Sequence, residues 1–89
     1  MRFEWDFEKA ARNLAKHGVS FVEASTAFGD PLSVTIADPL HSLSEDRFVR
    51  FGMSEQGRLL AVVHMDRDGT TRASSARLMT RHERQQYET

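Results

Sequence analysis

RFVRFGMSEQGRLLAVVHMDRDGTTRASSA, residues 47–76, decides the fold. Arg47 to Ser54 alternates polar and apolar residues, with Val49, Phe51 and Met53 on one side, as a half-buried strand requires. Glu55-Gln56-Gly57 is a short turn into Leu59-Leu60-Ala61-Val62-Val63, an apolar run that reads as the central strand. His64 shares a face with Leu60 and Val62 and so reads first as a packed, hydrogen-bonded histidine. Asp68-Gly69 signals a tight hairpin. Beyond it, the small and β-branched residues from Thr70 to Ala76 suit a last strand lying close to other backbone. Three antiparallel strands joined by two short turns are therefore expected.

Just upstream, Leu32, Val34 and Ile36 alternate with Ser33 and Thr35, which predicts a further strand with one face buried and one wet. Asp38-Pro39 ends it, and Leu40 to Asp46 forms a polar loop whose His41 reads as an incidental surface histidine. At the front of the chain, Phe3 and Trp5 alternate with Arg2 and Glu4 in a short first strand. Asp6 offers an N-cap. Phe7, Ala10, Ala11, Leu14 and Ala15 then make the single stripe of an amphipathic helix. Lys16 and His17 suit the negative end of that helix, and Gly18 can take the left-handed turn that stops it. Ser20 and Glu23 form a capping box with Val19 as staple, opening a second helix whose buried stripe is Phe21, Ala24, Ala27 and Phe28 and which Gly29-Asp30-Pro31 ends. At the back, Thr80 and Glu83 form another capping box for a helix from Arg81 to about Glu88. Only Tyr87 is strongly apolar there, so this helix is expected along a sheet edge, with Leu78 and Met79 anchoring its start. The sum is α+β, in the order β-α-α-β-β-β-β-α, with helices packed on an antiparallel sheet.

The 89 residues leave room for one domain spanning 1–89, with 39% apolar and 28% charged residues, the balance of a soluble globular protein. There is no run of about 20 apolar residues and no signal pattern, and cysteine is absent, so a cytoplasmic protein without disulfides or thiolate chemistry is expected. The charge is polarised: seven Lys and Arg stand against ten Asp and Glu up to residue 66, and five against three after it. Arg67, Arg72, Arg77, Arg81 and Arg84 recur through the last quarter, a cationic pattern suited to phosphate, although a solvated basic edge would look the same.

No phosphate loop, zinc motif or nucleophile elbow is present, and the four histidines, at 17, 41, 64 and 82, lack metal-ligand spacing. No cofactor is expected. What remains is arginine, whose forked donors stay charged and can stabilise a phosphoryl transition state. Geometry sets a condition, because Arg72 and Arg77 lie an odd number of residues apart and face opposite sides of an unbroken strand. They share a site only if that strand ends, bends or bulges near Ala76.

Trp5-Asp6 with Lys9 and Asn13, Lys16-His17-Gly18-Val19 with Phe21, Glu23 and Ala24, then Asp30-Pro31, Arg47, Ser75-Ala76-Arg77, and Glu83 with Tyr87 occur in an order that resembles the BrnT family of bacterial type II toxins. The resemblance covers nearly the whole chain. It implies a RelE-like fold, metal-independent cleavage of RNA, and neutralisation by a BrnA-type ribbon-helix-helix antitoxin through which operator DNA is reached. The chain departs from the family where two bulky aliphatics usually precede Ser-Ala-Arg, since it carries Ala73 and Ser74.

The leading expectation is an endoribonuclease in which Arg72 and Arg77 hold the phosphate and His17 moves a proton. Lys16, Arg67, His64, Arg81 and Tyr87 are then RNA contacts; Tyr87 equally suits a place over the core. The alternative is a weakened or inactive homologue that binds antitoxin and regulates its operon, assembled as a dimer or a toxin–antitoxin hetero-oligomer. A general nucleic-acid-binding domain is a third reading.

Overall fold

The strands expected between Arg47 and Ala76 are all formed in a computed structural model that describes residues 2–39 and 46–88. In chain order the elements are β1 (Arg2–Glu4), α1 (Phe7–His17), α2 (Phe21–Thr26), β2 (Val34–Ala37), β3 (Arg47–Met53), β4 (Leu59–Arg67), β5 (Thr70–Leu78) and α3 (Arg81–Glu88), with one 3₁₀ turn (Ala27–Gly29) after α2. They make a single sheet in the order β1-β5-β4-β3-β2. The meander β2-β3-β4-β5 is antiparallel, and β1 joins its edge parallel to β5. The β4–β5 turn has the signature that Asp-Gly confers, with both Asp68 (φ 53°) and Gly69 (φ 78°) at positive φ. Of the predicted Leu40–Asp46 loop, residues 40–45, His41 among them, lie outside the described residues.

One face of the sheet carries the core. Leu60 and Val62 of β4 and Ala73 and Ala76 of β5 pack against Val19, Phe21, Ala24 and Ala27, with Phe3, Trp5, Ala10 and Phe28 around them. The stripe predicted for α2 is the one used. The 3₁₀ turn approaches β3 so closely that a Cβ on Gly52 would sit 2.8 Å from the Ala27 carbonyl oxygen, so only glycine fits without a shift. Glu23 closes only half of its predicted box. Ser20 Oγ accepts from the Glu23 amide at 3.0 Å. The Glu23 carboxylate instead accepts from Ser54 Oγ and Arg58 Nε, both at 2.8 Å, and pairs with the Arg58 guanidinium. Arg58, itself partly in solvent, lowers the pKa of the buried Glu23, and the pair ties α2 to the β3–β4 turn.

α1 departs from the expected orientation. Ala10 and His17 are half-buried and Asn13 is fully buried, whereas Phe7 is 84% exposed and Leu14 51%. The cause is Asn13. Its amide donates to the carbonyls of Val19 (2.9 Å) and Ala76 (2.8 Å), and its oxygen accepts from the Ala76 amide (3.0 Å). β1 pairs with β5 only as far as Arg72, so Ala76 has no strand on that side, and Asn13 supplies the missing partners. Those three bonds fix the rotation of α1 and turn Phe7, Ala11, Leu14 and Ala15 outward, because unpaired buried backbone groups cost more than exposed apolar ones. Asp6 takes the extended N-cap conformation, but its side chain makes no capping bond. Gly18 stops the helix as expected, at φ 69° with its amide on the Leu14 carbonyl (2.9 Å).

Two further expectations are corrected. β2 is an edge strand exposed throughout, with Val34 and Ile36 half in solvent and Leu32 more so. α3 buries none of its residues and flanks the face of the sheet opposite α1 and α2. Met79 anchors it from a buried site, but Leu78 points to solvent.

Candidate functional site

The register of β4 and β5 settles the geometric condition on the two arginines. Ala61 pairs with Arg77, Val62 with Ala76 and Val63 with Ser75; His64 then pairs with Ala73 and Met65 with Arg72. Ser74 is left as an extra residue, a bulge two positions before the expected break. Five steps on β5 thus match four on β4, and Arg72 and Arg77 emerge on the same face. It is the face away from α1 and α2, because Leu60, Val62 and His64 occupy the other. The β4 partners of the two arginines, Met65 and Ala61, are four positions apart, roughly 13 Å along the strand.

At one end of this face, Arg72 donates to Glu4 (3.1 Å), its register partner on β1, and Arg67 donates to Asp46 (2.5 Å). With Arg2, Met65, Asp68 and Thr70 these residues line an open hollow of about 410 Å³. Three arginines there face three carboxylates. Such exposed pairs are worth only about 0–1 kcal/mol each, so a phosphate can replace a carboxylate on the guanidinium at little cost.

At the other end, Arg77 is oriented by the start of α3. Its Nη1 and Nη2 donate to the two Glu83 oxygens at 2.7 and 3.0 Å, and Nη1 also reaches the Leu78 carbonyl at 3.2 Å. Glu83 is itself held by the capping box, accepting from the Thr80 amide (2.8 Å) while its own amide donates to Thr80 Oγ1 (3.1 Å). Their mutual hydrogen bonds lower the pKa of Glu83 and raise that of Arg77. Among the described residues nothing takes up Nε–H and one Nη2–H of Arg77, which leaves them for a ligand.

A second hollow of about 410 Å³ lies between α3 and the β2–β3 side of the same face, floored by Val34, Ile36 and Phe51 and walled by His82, Gln86 and Tyr87. The Tyr87 hydroxyl donates to Asp30, which also accepts from the amides of Met53 (2.8 Å) and Leu32 (2.9 Å). That bond lowers the pKa of Asp30 and pushes the Tyr87 phenol up to about 12.

The predicted residues are thus brought together only in part. Arg67 and Arg72 share one hollow, Arg77 lies farther along the same face, and Tyr87 and Arg81 are on the helix that flanks it. Lys16 and His17 end α1 in the helical layer, with the sheet between them and the arginine side chains. His64 is 1% exposed. Its Nδ1 lies 2.7 Å from Asp66 Oδ1, and its ring packs at 5.0 Å from Phe28 and 5.8 Å from Phe48. Burial depresses its pKa, with Asp66 opposing, and Nε2 has no partner among the described residues. Arg2 and Glu4 went unread as site residues because only the parallel pairing of β1 with β5 brings the N-terminus to Arg72, and Asp46 because only the β3–β4 register brings it to Arg67. His82 went unread because the polar helix carrying it gave no sign of which face it would flank.

The family described as "Ribonuclease toxin, BrnT, of type II toxin-antitoxin system" matches residues 5–83. The fold is similar to the crystal structure of the Brucella abortus ribonuclease toxin BrnT, with a TM-score of 0.71 at 20% sequence identity, covering 91% of this chain and 99% of that one. A search of curated proteins gave no match.

Proposed function

This chain belongs to the BrnT family of ribonuclease toxins of type II toxin–antitoxin systems, and from that premise we propose that it is a cytoplasmic, one-domain endoribonuclease working with arginine and no metal or cofactor. The ribose 2′-hydroxyl attacks the adjacent phosphorus as the 5′-oxygen of the next nucleotide leaves. One group takes the 2′ proton and another protonates the leaving oxygen. Arg72 and Arg77 hold the phosphate and offset the added negative charge of the transition state, with Arg67 beside Arg72 as a supporting contact. The bulge at Ser74, which turns both guanidinium groups to one face, is the observation that carries this reading.

Among the described residues His82 is the imidazole on that face, and in this reading it moves the proton; His17 and Lys16 contact RNA only if the strand passes round the sheet. Tyr87 and Arg81 contribute binding from α3. His64 supports the core beneath. A BrnA-type ribbon-helix-helix antitoxin neutralises the protein in a hetero-oligomer and is its sole route to operator DNA. The test is cleavage of RNA in chelator by purified protein, which Arg72→Ala and Arg77→Ala should each slow by orders of magnitude; equal rates would remove the assignment.

The carboxylate partners of Arg72 and Arg77 favour a second reading, an inactive homologue that grips antitoxin. Ala73 fits it less well as a defect than its size suggested, since it sits in the packed core, and Ser74 is the bulged residue. Growth arrest on induced expression, lost in the arginine variants, would exclude that reading.

A further inference from the structure

β2 is the last strand of the sheet, and its outer edge faces no described strand. The Asp38 amide donates to the Arg47 carbonyl (3.0 Å), which sets the ladder so that Val34 and Ile36 bond β3 while the amides and carbonyls of Thr35 and Ala37 turn outward. No lysine, proline or bulge guards this edge between Val34 and Ala37, although natural sheets commonly protect such edges. One side of the strand, Val34 and Ile36, borders the apolar floor of the hollow under α3. The other side carries Thr35, and there Arg50 waits. Its guanidinium donates to Thr35 Oγ1 (3.1 Å) and the Phe28 carbonyl (3.4 Å) and stacks 4.7 Å from the Phe28 ring, with Nε buried and without a partner among the described residues. No described carboxylate forms an ion pair with it.

We propose that the β2 edge accepts an added strand from the protein partner, one that alternates apolar side chains toward the hollow with a carboxylate toward Arg50. A second copy of this chain fits poorly. Antiparallel pairing of two β2 strands sets Thr35 and Ala37 opposite one another and brings two Arg50 cations to the same side. The occupant is thus an acidic, alternating segment of the antitoxin, and this rests on the reading of the chain as the toxin of a two-protein pair. Its apolar side chains enter the hollow under α3, at the β2–β3 side of the sheet rather than over β5.

The probe is a soluble ten-residue peptide alternating valine and glutamate, followed by amide and arginine side-chain NMR on labelled protein. The expected result is shifts centred on residues 34–37 and Arg50, binding at least tenfold weaker for the lysine-for-glutamate peptide, and loss of that preference in Arg50→Gln. Ala37→Pro, which removes an outward amide and no β3 bond, should abolish binding; Thr35→Lys does the same by charge if the proline variant melts early. Shifts elsewhere, equal affinity for both peptides, or concentration-dependent shifts at 34–37 without peptide would overturn the proposal, the last in favour of a homodimer. RNA cleavage measured on the same samples separates failure here from failure of the toxin reading.

Discussion

The two faces of the sheet use their side chains in opposite ways. On the helical face, Leu60, Val62, Ala73 and Ala76 are buried against α1, α2 and the 3₁₀ turn, and even the polar groups there, Asn13 and His64, are enclosed. On the other face Arg67, Arg72 and Arg77 stand partly in solvent, each held by one carboxylate. The first face serves mainly stability, while the second, where Val49 and Ala61 are also buried, carries the arginines held ready for an anion. A residue's face therefore predicts which measurement its loss will change.

The largest effect that would sharpen this contrast is on catalysis. Arg77→Ala and Arg72→Ala should each reduce RNA cleavage by about 10²-fold or more, while the melting temperature moves little in Arg72→Ala, because an exposed ion pair contributes about 0–1 kcal/mol, and somewhat more in Arg77→Ala, whose pair with Glu83 is half-buried. A large loss of stability in either variant would break the division. Next comes the reverse case on the helical face. Asn13→Ala leaves the Ala76 amide and carbonyl unpaired in a buried place and should cost roughly 2–4 kcal/mol in denaturant unfolding.

Acidity gives a smaller effect from the same layer. His64 has its folded pKa depressed by burial, so below the unfolded value near 6.5 the unfolded chain binds the proton more readily. Stability from this group is complete above about pH 6.5 and falls as pH drops toward the folded pKa, with a slope of at most about 1.4 kcal/mol per pH unit. Glu23, Asp30 and Glu83, all depressed, lose their contributions only at lower pH. His64→Gln should flatten the slope between pH 6.5 and 5 in urea titrations. On the arginine face the single tyrosine gives a spectroscopic reading: ultraviolet titration should ionise Tyr87 near 12. A midpoint near 10 would mean that α3 is not latched to Asp30. Smallest of all, Phe7→Ser should change stability by less than about 0.5 kcal/mol, since the residue points to water despite its place in an apolar stripe.

That last case marks where sequence reading stopped. Patterns whose cause is local were legible: the Asp68-Gly69 turn, the Gly18 stop and the Thr80–Glu83 box need only neighbours to form. α1 and β2 were read by periodicity alone, and each was reoriented by something distant. For α1 it was the hydrogen bonds of Asn13 to a strand 63 positions away; for β2 it was an edge position that no residue within it encodes. The candidate site was legible as residue types, and the need for a break between Arg72 and Arg77 as parity. The bulge at Ser74 and the carboxylate partners depended on register and pairing, which are set by the whole sheet.

The central claim is that RNA lies on the face bearing Arg72 and Arg77. A short RNA with methylated 2′-hydroxyls, which binds without being cut, can be titrated into labelled protein and followed by NMR. Shifts at Arg72, Arg77, Ser75 and Met65 are predicted, with α1 silent. Shifts confined to Lys16, His17 and the helical layer, with the arginine face unmoved, would contradict it.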